Sequence, residues 1–178
     1  DLDIVLSLVD SPVKEIRAVG LPILSGKVDI ANVRMEFSSG CVANFTASRV
    51  STERVRKLRF FQPHQYVSID YTRQDVLVFT VDGAPKNVTP EAFAALSAAG
   101  GDLGSHLKMD KPAVPQEEPL RAELRAFLDA VRHRSRPLVT LEDGRRALAV
   151  ALEILDAIRD HSRRVNIDAM WAPGASHD

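Results

Sequence analysis

The stretch VRMEFSSGCVANFTASRV, residues 33–50, decides how the chain folds. Val33, Met35 and Phe37 are apolar at every second position, with Arg34 and Glu36 between them. Such alternation marks a strand with one buried face. Ser38-Ser39-Gly40 supplies tight-turn chemistry. A second alternating run follows, in which Cys41, Ala43, Phe45 and Ala47 share one face and Val42, Asn44, Thr46 and Ser48 the other. Strands joined by so short a link pair antiparallel. Arg49 continues the parity of the small, apolar face. A guanidinium there wants a carboxylate or another anion beside it.

Upstream, DIVLSLV at 3–9 reads as the tail of a helix stopped by Ser11-Pro12. A strand is expected over 14–19, with Val13, Ile16 and Val19 as its apolar members. Another runs over 27–37, and its phase changes near Ala31-Asn32, where a β-bulge is expected. Downstream, 55–61, 66–71 and 76–81 give three more strands with short polar links, and Asp82-Gly83 ends the meander. Apolar residues of both parities, Val76 and Val78 against Leu77, Phe79 and Val81, predict that the second sheet face is covered by a partner subunit or another domain. Residues 84–119 are rich in Pro, Gly, Ala and Ser and form a long excursion, with a short helix around 90–99. Two helices close the chain. Leu120, Leu124, Phe127, Leu128 and Val131 stripe the first; Leu148, Leu152, Leu155 and Ile158 are the expected core stripe of the second. Thr140-Leu141-Glu142-Asp143 has the form of a capping box. Val165 and Ile167 are expected in a last edge strand, and 172–178 as a frayed tail.

Strands in a run followed by helices in a run define an α+β fold. The expected architecture is an open, mainly antiparallel sheet with helices packed on one face and the other face free for oligomerisation. One domain is expected over 1–178. Residues 1–10 are the end of a helix from a domain junction, 13–82 the strand meander, 84–119 the excursion and 120–161 the helix pair.

Composition excludes several functions. With 178 residues, 45% hydrophobic and 26% charged, the chain is ordinary globular material. Its net charge of −1 gives no basic field for nucleic acid. No apolar run approaches the roughly 18 residues of a membrane span. The lone Cys41 forbids an internal disulfide and fits a reducing, cytoplasmic setting. The histidines lie far apart with no metal-ligand spacing, so no metal is expected. Gly100-Gly101-Asp102-Leu103-Gly104 follows no strand and opens no strong helix, so it is no phosphate cradle. Arg54, Arg56, Lys57 and Arg59 fall on both parities, as charges that guard a sheet edge do. For Arg49 two readings stay open: a structural ion pair, or a guanidinium facing substrate.

Three segments together resemble the C-terminal domain of the Gfo/Idh/MocA oxidoreductases, the relatives of glucose-fructose oxidoreductase and inositol dehydrogenase. They are DLDIVLSLVDSPVKEIRAVG; FSSGCVANFTASRVS with VRKLRFF and YVSIDY; and ELRAFLDAVRHRSRPLVTLEDGRRALAVALEIL. They cover about four fifths of the chain. The resemblance implies a two-domain enzyme whose N-terminal Rossmann domain, absent from this chain, binds NAD or NADP, while this domain binds substrate and assembles a homodimer or homotetramer through its sheet face. It implies a sugar or nucleotide-sugar substrate held by Arg49 with Ser48 or Arg56. Asp3 would match the last residue of the family's H-x-x-D motif, in a supporting role, with the histidine immediately before Asp1. No catalytic, cofactor or metal residue is expected in this chain, which alone would be inactive. The competing reading is a non-catalytic, stand-alone sheet module for binding or assembly.

Overall fold

The structure, a computed structural model, describes residues 1–81 and 107–166. The elements run α1 (Leu2–Leu8), β1 (Val13–Leu21), β2 (Ile30–Phe37), β3 (Val42–Ser48), β4 (Lys57–Gln62), β5 (Gln65–Asp70), β6 (Asp75–Val81), β7 (Leu107–Asp110), α2 (Pro119–His133) and α3 (Leu141–Val165). The α+β expectation holds. The strands, however, are divided over two antiparallel sheets, β1-β2-β3 and β4-β5-β6-β7. The chain likewise falls into two compact units, 1–52 with 123–178, and 53–122. The expected helix at 90–99, the glycine run at 100–104, Ile167 and the tail at 172–178 lie outside the described residues.

In the first unit the hairpin read from residues 33–50 is present. Val33 faces Phe45 and Met35 faces Ala43 across β2–β3; Ala18 and Ile16 stand opposite them on β1. These side chains form the face that receives α3. Met35 and Phe37 are fully buried, and Val33 and Ala18 nearly so. Burying a side chain of this size stabilises by about 1.5–3 kcal/mol. Val5 and Leu6 of α1 complete the same core. The opposite face of the sheet is polar: Thr46 Oγ1 donates to Asn32 Oδ1 at 2.9 Å, Arg34 to Asn44 Oδ1 at 3.3 Å and Lys14 to Glu36 at 2.7 Å.

Two expectations are corrected. The irregularity in strand pairing lies between Val13 and Glu15 of β1, and β2 runs in unbroken register from Ile30. Val28 belongs to the β1–β2 loop, so its parity carries no information about the strand. The core stripe of α3 is Val150, Ile154 and Ile158, whereas Leu148, Leu152 and Leu155 are exposed. The spacing of four keeps Val150, Ile154 and Ile158 on one side of the helix. Close approach at Gly20 fixes which side that is, because a Cβ there would lie 2.8 Å from Ile158 Cγ2. The apolar stripe of α2 also stays exposed, and that helix buries none of its residues.

The capping box is present in full. Asp143 N–H donates to Thr140 Oγ1 at 3.2 Å, and Thr140 N–H donates to Asp143 Oδ2 at 3.0 Å. Asn166, left-handed at φ 52°, ends α3.

The second unit is a meander. Along it Phe61 pairs with Tyr66, and Tyr66 with Phe79, leaving ring centroids 5.1 and 5.8 Å apart. Neither face of β4–β6 is fully buried, so both apolar parities read from the sequence remain half-open. Strand β7 pairs with β6, setting Leu107 opposite Val81 and Met109 opposite Phe79. Gln74, left-handed at φ 52°, grips the main chain of Glu117: its Nε2 donates to the carbonyl and its Oε1 accepts the N–H at 3.2 Å.

Candidate functional site: the Asp29–Arg49 corner

The β1–β2 loop folds over a buried carboxylate. Asp29 Oδ2 accepts the main-chain N–H groups of Ile23, Leu24 and Ser25 at 2.8, 2.7 and 2.8 Å. Its Oδ1 accepts the Ser25 hydroxyl at 2.7 Å. The hydroxyl of Ser25, then these main-chain donors, hold the carboxyl far below the usual carboxylate range. Asp29 is charged at neutral pH, and its negative end is set by the loop itself.

Arg49 meets this carboxylate where β3 ends. Its main-chain N–H donates to the Asp29 carbonyl at 2.9 Å. Its Nε lies 3.7 Å from Asp29 Oδ1, an ion pair beyond hydrogen-bond length. The Arg49 side chain is 64% exposed while that of Asp29 is 1% exposed. Arg49 therefore has a carboxylate near its Nε, while most of its side chain is open to water. Ser48, the preceding residue, accepts at Oγ from the Val50 N–H at 3.3 Å and from the Ser51 hydroxyl at 2.9 Å. With its oxygen so used, the Ser48 hydroxyl keeps its own proton to donate.

The structure thus brings Ser48 and Arg49 together with Asp29, Ser25 and Ser51. Arg56 belongs to the second unit. There its guanidinium lies 5.2 Å from the centroid of the Tyr71 ring. Burial pushes the Tyr71 phenol up, and the Arg56 charge pulls it the other way. Asp3 sits in the first turn of α1 and is partly exposed. Asp29 was missed in the sequence. Its only signal there is an acid closing a Ser-Gly-Lys turn, which gives no hint that three main-chain N–H groups converge on it.

A separate groove of about 970 Å³ lies between β1 and the last turns of α3, lined in part by Ile16, Arg17, Val19, His161 and Arg164. None of Asp3, Ser48, Arg49 or Arg56 lines it. Among the described residues no group of three or more His, Cys, Asp and Glu is placed to hold a metal. Among the same residues no helix is long and apolar enough to cross a membrane.

No family model matches the chain. The UDP-N-acetylglucosamine 3-dehydrogenase of Acidithiobacillus ferrooxidans is 31% identical over 169 residues, 92% of this chain and 48% of that protein. A solved structure of that enzyme, GnnA, superposes at a TM-score of 0.72 with 27% identity, covering 89% of this chain and 46% of that one. The aldose-aldose oxidoreductase of Caulobacter crescentus, solved with glycerol, shares the fold at a TM-score of 0.64 and 20% identity, over 90% of this chain and 43% of that one. The chain therefore spans about half the length of the relatives it matches. These matches bear out the resemblance to the Gfo/Idh/MocA oxidoreductases drawn from the sequence.

Proposed function

We propose that this chain is the C-terminal, substrate-binding and oligomerising domain of an NAD(P)-dependent oxidoreductase acting on a hydroxyl of a sugar or nucleotide sugar. The observation that carries the reading is 31% identity to a UDP-N-acetylglucosamine 3-dehydrogenase across 92% of the chain. NAD or NADP would bind a Rossmann domain outside this sequence, and no residue here is assigned to it. The cofactor, when bound, supplies a hydride acceptor. This chain supplies orientation: a wall that fixes the reacting hydroxyl and cations that fix the remote part of the substrate. Arg49 is suited to an anionic group because most of its side chain is open to water. Ser48 offers a hydroxyl proton beside it. Asp3 supports the site from α1.

A homodimer or homotetramer through a sheet face is part of the same proposal. The half-open aromatic row of the second unit supports it, with Phe61 78% exposed at its end. The setting is taken as cytoplasmic on the strength of the lone Cys41.

The test is an assay of the complete gene product with NAD and NADP against UDP-N-acetylglucosamine, other nucleotide sugars and free sugars, followed at 340 nm. Reduced nicotinamide formed with at least one of them is the expected result. A native mass equal to the 19.6 kDa of this chain, with no turnover of any sugar, would overturn the reading.

A further inference from the structure

Asp29 and Arg49 carry an inference that rests on the reading of Arg49 as the cation for an anionic substrate group. We propose that Asp29 is a positioning residue, which holds Arg49 by its Nε edge and its main chain so that the terminal N–H pair of the guanidinium is presented to a phosphate or diphosphate. Four donors fix the carboxylate without any help from Arg49: the N–H groups of Ile23, Leu24 and Ser25, and the Ser25 hydroxyl. The anchor is therefore rigid before the arginine arrives. Arg49 is then placed beside it: its main-chain N–H donates to the Asp29 carbonyl at 2.9 Å, and its Nε lies 3.7 Å from Oδ1, at ion-pair though not hydrogen-bond distance.

The Nε edge and the terminal edge of a guanidinium are different donor pairs. Using the first for Asp29 leaves the second, a planar fork that matches two phosphate oxygens. A free surface arginine must lose its rotamer freedom to bind an anion. One tethered to a fixed carboxylate has lost much of that freedom already. The exposure contrast fits this division: the Asp29 side chain is 1% exposed and the Arg49 side chain 64% exposed.

The probes are inorganic pyrophosphate and UDP, titrated into the complete protein with the arginine Nε–Hε correlations followed by NMR. In the wild type the Arg49 signal is expected to be sharp, motionally restricted before any ligand is added, and moved by both probes. Asp29→Asn is expected to restore the averaged signal of a mobile arginine and to weaken pyrophosphate binding about tenfold, while the amide signals of β1–β3 stay in place. Arg49→Lys, which keeps the charge and loses the fork, is expected to weaken it as much. Unchanged pyrophosphate affinity in either variant overturns the proposal, as does absence of pyrophosphate binding by the wild type. Should Asp29→Asn fail to fold, the ligand-free wild type decides alone: a mobile Arg49 Nε overturns the positioning role. The sugar reading fails separately. If no nucleotide sugar is turned over by the complete protein but pyrophosphate binding depends on both residues, the Asp29–Arg49 device stands and its ligand is another phosphate.

Discussion

Gly20 of β1 and Ile158 of α3 meet where no side chain fits: a Cβ on Gly20 would lie 2.8 Å from Ile158 Cγ2 and 2.8 Å from Val28 Cγ1. Both blocking atoms hang from branched Cβ carbons that have little rotamer freedom to withdraw. Gly20→Ala is therefore expected to push α3 off the sheet and to destabilise the chain by about 1–3 kcal/mol. Urea denaturation checks this. A midpoint equal to that of the wild type would mean that the helix does not rest at this distance.

The register of α3 makes a sharper forecast. Ile154→Ala empties a core position and is expected to lose about 2–5 kcal/mol. Leu152→Ala, two residues away on the exposed side, is expected to stay within about 0.5 kcal/mol of the wild type. Equal losses in the two variants of this chain would return the core stripe to the leucines.

Thr140→Ala removes the cap that starts α3 and is expected to lose about 1 kcal/mol. The loss depends on pH. The Thr140 hydroxyl and then its N–H lower the Asp143 carboxyl below its ordinary value. A group whose folded pKa is depressed adds stability above its unfolded pKa, about 3.9 for Asp, and that stability fades as pH falls through the folded value. The gap between wild type and Thr140→Ala should accordingly narrow on acidification below about pH 4. A gap that widens in acid would contradict the reciprocal cap.

In the second unit, Arg56→Ala removes a cation beside the Tyr71 ring. Burial alone then acts on the phenol, so Tyr71 should ionise at still higher pH than in the wild type. Alkaline spectrophotometric titration reads this directly. A shift to lower pH would mean that the guanidinium does not face the ring.

The hairpin at 33–50 was legible in the sequence because period-two alternation and a Ser-Ser-Gly turn act locally, and the Thr140–Asp143 cap because its partners are three residues apart. The phase of α3 was not. Its leucines and its β-branched residues lie on different sides, and only the contact with Gly20, far away in sequence, selects between them. Asp29 was hidden for a related reason: its importance comes from main-chain donors, which every residue carries and no sequence displays. The division of the strands into two sheets was equally hidden, because a strand over 55–61 follows closely on the one ending at Val50, and nothing between them announces a break in pairing. Of the Asp29–Arg49 corner, Arg49 was legible by type and parity, and the anchor behind it was not.

Val81 and Leu107 face each other across β6 and β7, so the ends of the segment 82–106 are held as neighbours whatever lies between them. Doubling the length of such an insert adds only about 0.6 kcal/mol of closure entropy. The segment is thereby a cassette: descendants can lengthen, shorten or replace it while the pairing at its base is kept. A change in its length is therefore felt little by the stability of the strands that hold its ends.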